Sequence, residues 1–142
     1  MGKFKDIYEI IETEASKLAT YKYTSIREFA NITQDTIDST ILFLINSDNL
    51  QGTAKIPSRI LNEFEFDIWI IKNHKLESLN IEIAEIQDSC LAIMNNFIWA
   101  MQQPNVEYFP IESWTFKMVR NTTPNAFAGV RFTMKLETAC NL

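Results

Sequence analysis

A stripe of apolar residues at helical spacing, from Leu79 to Met101, constrains the fold of this chain most strongly. Its members lie three or four residues apart, the period of one face of an α-helix: Leu79, Ile83, Ile86, Cys90, Ile93, Phe97 and Met101. Ser78 suits the N-cap, and Pro104 follows as a helix stop. Because a helix with one apolar stripe must bury it against another layer, the stripe predicts a long helix packed on a second element.

Alternating segments predict strands for that second layer. Arg59 to Ile71 has one apolar face and one mainly polar face: Phe64, Phe66, Ile68 and Ile70 against Glu63, Glu65, Asp67 and Trp69. Phe127 to Glu137 alternates in the same way, with four apolar residues facing inward: Val130, Phe132, Met134 and Leu136. Ile111 to Val119 places Trp114, Phe116 and Met118 on one face. Ser39 to Ile45 is apolar on both faces, which predicts an internal strand covered on both sides.

These elements predict an α+β fold in a single domain spanning residues 1–142. Residues 3–19 form an amphipathic N-terminal helix, and Thr20 to Asp38 is a largely extended segment. We expect an antiparallel sheet of about four strands in two hairpins, with the long helix packed on one face. At this length a chain buries roughly 68–70% of its unfolded surface, so one core suffices.

A long connection, residues 47–58, separates the first two predicted strands. It contains turn formers, and its apolar residues are too few to anchor it by burial: Leu50, Ala54 and Ile56. We interpret this segment as an assembly loop that reaches a neighbouring subunit, rather than as part of the folded core.

The charge of the chain disfavours several classes of function. The net charge is −5, from 13 Lys and Arg against 18 Asp and Glu, whereas proteins that bind DNA through its phosphates carry clustered basic residues.

The longest apolar run, Ile41 to Ile45, is far shorter than the roughly 20 residues of a membrane helix. The first residues lack the apolar core of a signal peptide. We expect no membrane partner, and a chain that stays in the cytoplasm where it is made.

The chain offers few candidates for catalysis or metal binding. The single histidine, His74, is expected in an exposed turn, and Cys90 lies on the predicted core stripe. Cys140 lies near the last residue, and no CxxC or Cys/His ligand spacing occurs. We therefore predict no metal, no cofactor and no enzymatic activity. A Cys90–His74 dyad remains open at this point as an alternative.

Three carboxylates share one face of the second predicted strand. Glu63, Glu65 and Asp67 lie two residues apart, roughly 6.6–6.8 Å between same-face neighbours. Such spacing is compatible with paired glycosidase acids. We favour a solvated or subunit-facing sheet surface.

Aromatic residues exceed what the predicted inward faces need. Tyr and Trp are enriched at protein interfaces. We assign Trp114 to the core and Trp69 to a contact between subunits. The other candidate interface residues are Leu50, Ile56, Tyr108 and Phe109.

The order of these elements resembles the tail-terminator, tail-completion and neck-ring proteins of tailed bacteriophages, especially those infecting Bacteroidetes. The likeness covers about residues 3–138. It is carried by the opening helix and by four further segments: Thr40 to Ile45, Glu63 to Ile71, Ile86 to Ile98 and Asn125 to Leu136. The segment from Asn125 to Leu136 resembles the ending of the family's proteins, which has a turn, then a small residue followed by Gly, and an alternating final strand.

The resemblance implies a tail-terminator-like domain that is a structural virion protein. Such a subunit joins a six-fold or twelve-fold ring between portal and tail, contacts adjacent portal, neck or tail proteins, and lets DNA pass through the lumen. An acidic lumen would repel phosphates and let DNA slide. Two alternatives stay open: a small α+β enzyme or ligand-binding protein with a pocket between helix and sheet, and a dimeric adaptor.

Overall fold

Two helices and seven strands make up the part of the chain that the computed structural model describes, namely residues 4–25, 40–46, 52–55, 61–74, 80–103, 109–110, 114–121 and 126–139. In chain order they are α1 (Phe4–Ser16), β1 (Thr20–Ser25), β2 (Ile41–Asn46), β3 (Gly52–Lys55), β4 (Leu61–Asn73), α2 (Asn80–Met101), β5 (Phe109–Pro110), β6 (Thr115–Asn121) and β7 (Phe127–Ala139). The predicted α+β class is confirmed.

The sheet is built around two long central strands. β4 and β7 have 13 residues each and pair antiparallel over their whole length, from Leu61 opposite Ala139 to Asn73 opposite Phe127. β2 and β3 both pair with the edge of β4 that faces away from β7. β5 and β6 both pair with the edge of β7 that faces away from β4. β1 lies outside β2, parallel to it.

The predicted sheet has too few strands and lacks a parallel pair. The antiparallel pairs β2–β4 and β6–β7 are confirmed, but the sheet has seven strands in the described part of the chain, and one of their pairings is parallel. The residues of β1, Thr20–Ser25, belong to the segment that we predicted as merely extended. Tyr21 and Tyr23 alternate with polar residues as in a strand, but this short stretch does not indicate its partner, because β2 is distant in sequence.

The predicted assembly loop is also corrected in part. Within residues 47–58, Gly52–Lys55 forms β3, which pairs with β4 from Phe64 to Leu61. This stretch therefore belongs to the sheet, where backbone hydrogen bonds hold it without large apolar side chains. The rest of residues 47–58 lies outside the described residues.

The main core lies between the sheet and the two helices, which both pack on the same face, called here the inner face. The α2 stripe is confirmed, with Ile83, Cys90, Phe97 and Met101 buried and Met94 added to them. Ser78 and Leu79 lie outside the described residues. The sheet contributes the inward residues that alternation predicts, buried in one cluster: Leu42, Leu44, Phe66, Ile68, Ile70, Val130, Phe132, Met134 and Leu136.

A second, smaller core lies on the opposite face of the sheet, called here the outer face. It consists of Ile41, Phe43, Ile45, Ile71 and Phe127. All five residues from Ile41 to Ile45 are buried. The prediction that this strand is internal and covered on both sides is therefore confirmed.

Gly129 allows a close approach of the two central strands. A Cβ atom built at this position would lie 1.9 Å from the carbonyl oxygen of Ile70. Only glycine fits there without moving backbone, because every near neighbour belongs to the main chain of β4.

Candidate subunit interface

Trp69 stands at the centre of an ordered cluster on the outer face. Its ring meets the ring of Phe127 edge to face, with centroids 6.4 Å apart and planes at 74°. The guanidinium carbon of Arg131, directly opposite on β7, lies 4.9 Å from the Trp69 ring centroid. Cation–π contacts of this kind contribute about 0.5–1 kcal/mol at exposed sites. Trp69 is half-buried among its own strands.

Arg131 is fixed at the same time by the neighbouring carboxylate. Its Nε and one terminal nitrogen donate hydrogen bonds to the two oxygens of Asp67, both at 3.0 Å. This fork geometry is specific to arginine and carboxylate. Asp67, Arg131 and Trp69 thus form one rigid polar and aromatic surface.

The three carboxylates that alternation places on this face are engaged with other groups. Asp67 is bonded to Arg131, and Glu65 forms an ion pair with Lys135 at 3.3 Å. Glu63 is buried, opposite Glu137 on β7. This arrangement favours the interpretation of the face as a structural surface, because two of the three carboxylates have a cation of the same sheet as their neighbour.

Two large apolar side chains are exposed on β6, at an edge of the sheet. Phe116 and Met118 are 45% and 43% exposed. They pair with Phe132 and Val130 of β7, which puts them on the inner face. The sequence predicts Trp114, Phe116 and Met118 on one face, which the structure identifies as the inner face. Their alternation does not distinguish Phe116 and Met118 from core residues, because their exposure depends on the position of β6 at the sheet edge.

Trp114, just before β6, packs against the core as predicted. It is half-buried, and its ring lies 6.5 Å from that of Phe132. Its indole nitrogen is buried and has no hydrogen-bond partner in the described part of the chain. Within two residues, the aromatic side chains therefore change from a core contact at Trp114 to an exposed position at Phe116.

The other candidate interface residues are not placed. Leu50, Ile56 and Tyr108 lie outside the described residues. The backbone of Phe109 belongs to β5, which pairs with β7 at Glu137, and its side chain is not described. Trp99, by contrast, lies on α2 and is 69% exposed.

His74 and Cys90 occupy different environments from those expected of a dyad. His74 is half-buried rather than exposed. It directly follows β4, and its backbone N–H donates a hydrogen bond to the carbonyl of Ala126 at 3.0 Å. Cys90 is fully buried, and this burial raises the pKa of its thiol to about 11. A thiol with such a pKa is protonated at neutral pH and is a weak nucleophile. Cys140 lies outside the described residues.

A groove of about 670 Å³ opens where β4 ends beside the first half of α2. Its lining includes one lysine, two glutamates, polar residues and one apolar side chain: Lys72, Glu82, Glu85, His74, Thr40, Asn73, Ser89 and Ile86. Cys90 is not among these lining residues. A groove with this volume and this lining fits a small polar ligand.

Two searches of the described ranges concern clusters of metal-ligating side chains and membrane-spanning helices. Within them, no three His, Cys, Asp or Glu side chains are grouped closely enough to hold a metal ion. Neither described helix has the length and apolar character needed to span a bilayer.

Comparison with known proteins gives no family for this chain. A scan against models of protein families finds no match, and a search of curated proteins finds none either.

Proposed function

We propose that this chain is a non-enzymatic structural subunit that self-associates into a ring in the neck or tail-joining region of a tailed bacteriophage. In this proposal adjacent portal, neck or tail proteins stack on the ring, DNA passes through its lumen, and the protein acts in the virion after synthesis in the host cytoplasm. The resemblance in element order motivates the phage setting, and the observed surface motivates the self-association.

The observation that carries the proposal is the exposed pair Phe116 and Met118. Single exposed apolar residues are common, but adjacent large ones at a sheet edge are typical of a protein contact surface. Aromatic residues and Met are the types enriched in such contacts. The Trp69 cluster adds a second ordered surface on the other face.

The test measures the assembly state of the protein. Native mass spectrometry and chemical cross-linking are applied to the purified chain over a range of concentrations and to assembled phage particles. Electron microscopy of the same samples then counts the subunits of any ring. Symmetric oligomers are expected in at least the particles. Monomer in both samples contradicts the proposal, and a dimer alone favours the adaptor.

One observation favours a second candidate, a ligand-binding protein. The groove beside Lys72, His74 and Glu85 has a volume suited to a small ligand. Its mixed charges favour a zwitterionic compound. Thermal-shift screening of such compounds tests this candidate, with Lys72→Ala and Glu85→Ala as variants. A ligand shift that both variants abolish, in a chain that stays monomeric, would favour it over the ring.

A further inference from the structure

We propose that copies of this chain associate head to tail, with the inner-face side of β6 on one copy contacting the β1–α1 edge of the next. This inference rests on the proposed self-association and names the two surfaces that meet. It commits to a second copy of this chain as the partner.

The two surfaces lie at opposite ends of the sheet. The order β1-β2-β4-β7, with β6 on the far edge of β7, separates β1 from β6 by four strand spacings, or about 19 Å. A contact between two different surfaces is heterologous, and it generates a closed ring when the rotation between copies closes. A dimer with two-fold symmetry would instead bring the same surface of each copy together.

The β6 surface is apolar and basic. Phe116 and Met118 are exposed, and Arg120 follows two residues later on the same side. Arg120 is exposed and donates a hydrogen bond to Asn80 of α2 at 2.8 Å. Its guanidinium has donors left over for a carboxylate.

The β1–α1 edge is aromatic and acidic. Tyr23 is 47% exposed, and its ring lies 5.3 Å from the ring of Tyr8 on α1. Glu9 and Glu12 are exposed, one helical turn apart on α1. Burial and then the negative charge of Glu12 raise the pKa of Tyr21 on β1, so this carboxylate lies near the edge strand. Lys5 is the exposed cation of the same helix.

Chemical complementarity joins the two surfaces. Phe116 and Met118 would pack against the tyrosines of the next copy, while Arg120 would face Glu9 and Glu12. Charge complementarity of this kind selects partner and orientation more than it adds affinity. Hence the charges decide which edge binds which.

Lysines on the outer face oppose edge-to-edge strand pairing between the sheets of two copies. Lys22 of β1 lies beside Phe43, and Lys117 of β6 lies opposite Arg131, which places both lysines on the outer face. Direct pairing of β6 with β1 of a neighbour would place both lysines on the same face of the joined strands. Lysines on edge strands prevent such pairing in many sheet proteins. The contact therefore forms through side chains on the inner side.

A charge exchange tests the pairing. Arg120→Glu and Glu12→Arg each place like charges across the contact, and each should weaken association about tenfold or more. The double variant carries the exchanged charges and should restore association towards the wild-type level. Asp88→Arg makes the same charge reversal at an exposed position of α2 that belongs to neither proposed surface, and it should have no effect. Association is measured by native mass spectrometry and by incorporation into particles.

A second pair of variants tests the apolar part. Phe116→Ser with Met118→Ser should abolish association, whereas Trp99→Ser removes a more exposed aromatic side chain outside the contact and should leave it intact. Circular dichroism and the melting temperature show that each variant is folded.

The results separate this inference from the proposed function. If the wild-type chain forms rings and folded variants at residues 12, 116, 118 and 120 form them equally well, the ring stands and this interface is wrong. If the double charge variant is no better than either single variant, the pairing of Arg120 with the α1 acids is wrong. If the wild-type chain is monomeric in solution and in particles, both proposals fail.

Discussion

Substitution of Gly129 by alanine should break the centre of the sheet, although it adds a single methyl group. The added carbon would lie 1.9 Å from the Ile70 carbonyl oxygen and 2.9 Å from two further backbone atoms of β4. No side-chain rotation can relieve contacts with the main chain. Gly52→Ala is the matched control, because its added carbon would lie 3.4 Å from its nearest neighbour, the carbonyl oxygen of Glu63.

The expected cost follows from the movement that the clash requires. Non-bonded atoms lie about 3.5 Å apart, so β4 and β7 must separate locally by more than about 1 Å. That separation breaks ladder hydrogen bonds, each contributing about 0.5–1.5 kcal/mol, and disturbs core packing by about 1–3 kcal/mol. With two bonds lost, the free energy of unfolding should fall by about 2–6 kcal/mol. The control should change by less than about 1 kcal/mol, because alanine also restricts the unfolded chain.

Urea denaturation and scanning calorimetry of the three proteins measure this difference. For a domain of this size, a loss near 3 kcal/mol lowers the melting temperature by on the order of 10 °C. If Gly129→Ala melts within about 2 °C of Gly52→Ala, the close approach of β4 and β7 at this position is wrong. The register of the central pair would then need revision.

Three further predictions concern the helix, the buried thiol and the outer face. Phe97→Ala should lower the free energy of unfolding by roughly 3–5 kcal/mol in urea denaturation, because Phe97 is fully buried. Trp99→Ala, on the exposed side of α2, should change it by no more than about 0.5 kcal/mol. Equal effects of the two substitutions would contradict the helix register. The pKa of Cys90 is raised from 9.0 to about 11, so the folded state holds this proton longer than the unfolded state. Stability should therefore fall between pH 9 and pH 11 more steeply in the wild-type protein than in Cys90→Ala, and parallel curves would refute the assignment. Arg131→Lys should cost about 0.5–1 kcal/mol, since lysine cannot form the carboxylate fork, and an unchanged urea midpoint would show that the fork contributes nothing.

The local periodicity of the sequence determined which residues face inward within each element. The helical stripe through Cys90 and Phe97, the alternation from Phe66 to Ile70, and the two-sided burial of Ile41 to Ile45 all follow from side-chain spacing. This information is local, because helix and strand periods are properties of neighbouring residues. The α+β class follows from it, since the stripe and the alternating faces must cover each other.

Tertiary structure alone decided which strands meet and where the sheet ends. The parallel pairing of β1 with β2 and the full-length pairing of β4 with β7 join residues far apart in sequence. Gly52–Lys55 becomes a strand by pairing with β4. The same holds for the surface: Phe116 alternates like a core residue, yet it is 45% exposed because it lies on an edge strand. The need for glycine at position 129 likewise arises from the backbone of another strand. The spacing of apolar residues determines which side of a helix or strand is apolar. Which other element covers that side depends on the packing of the whole chain.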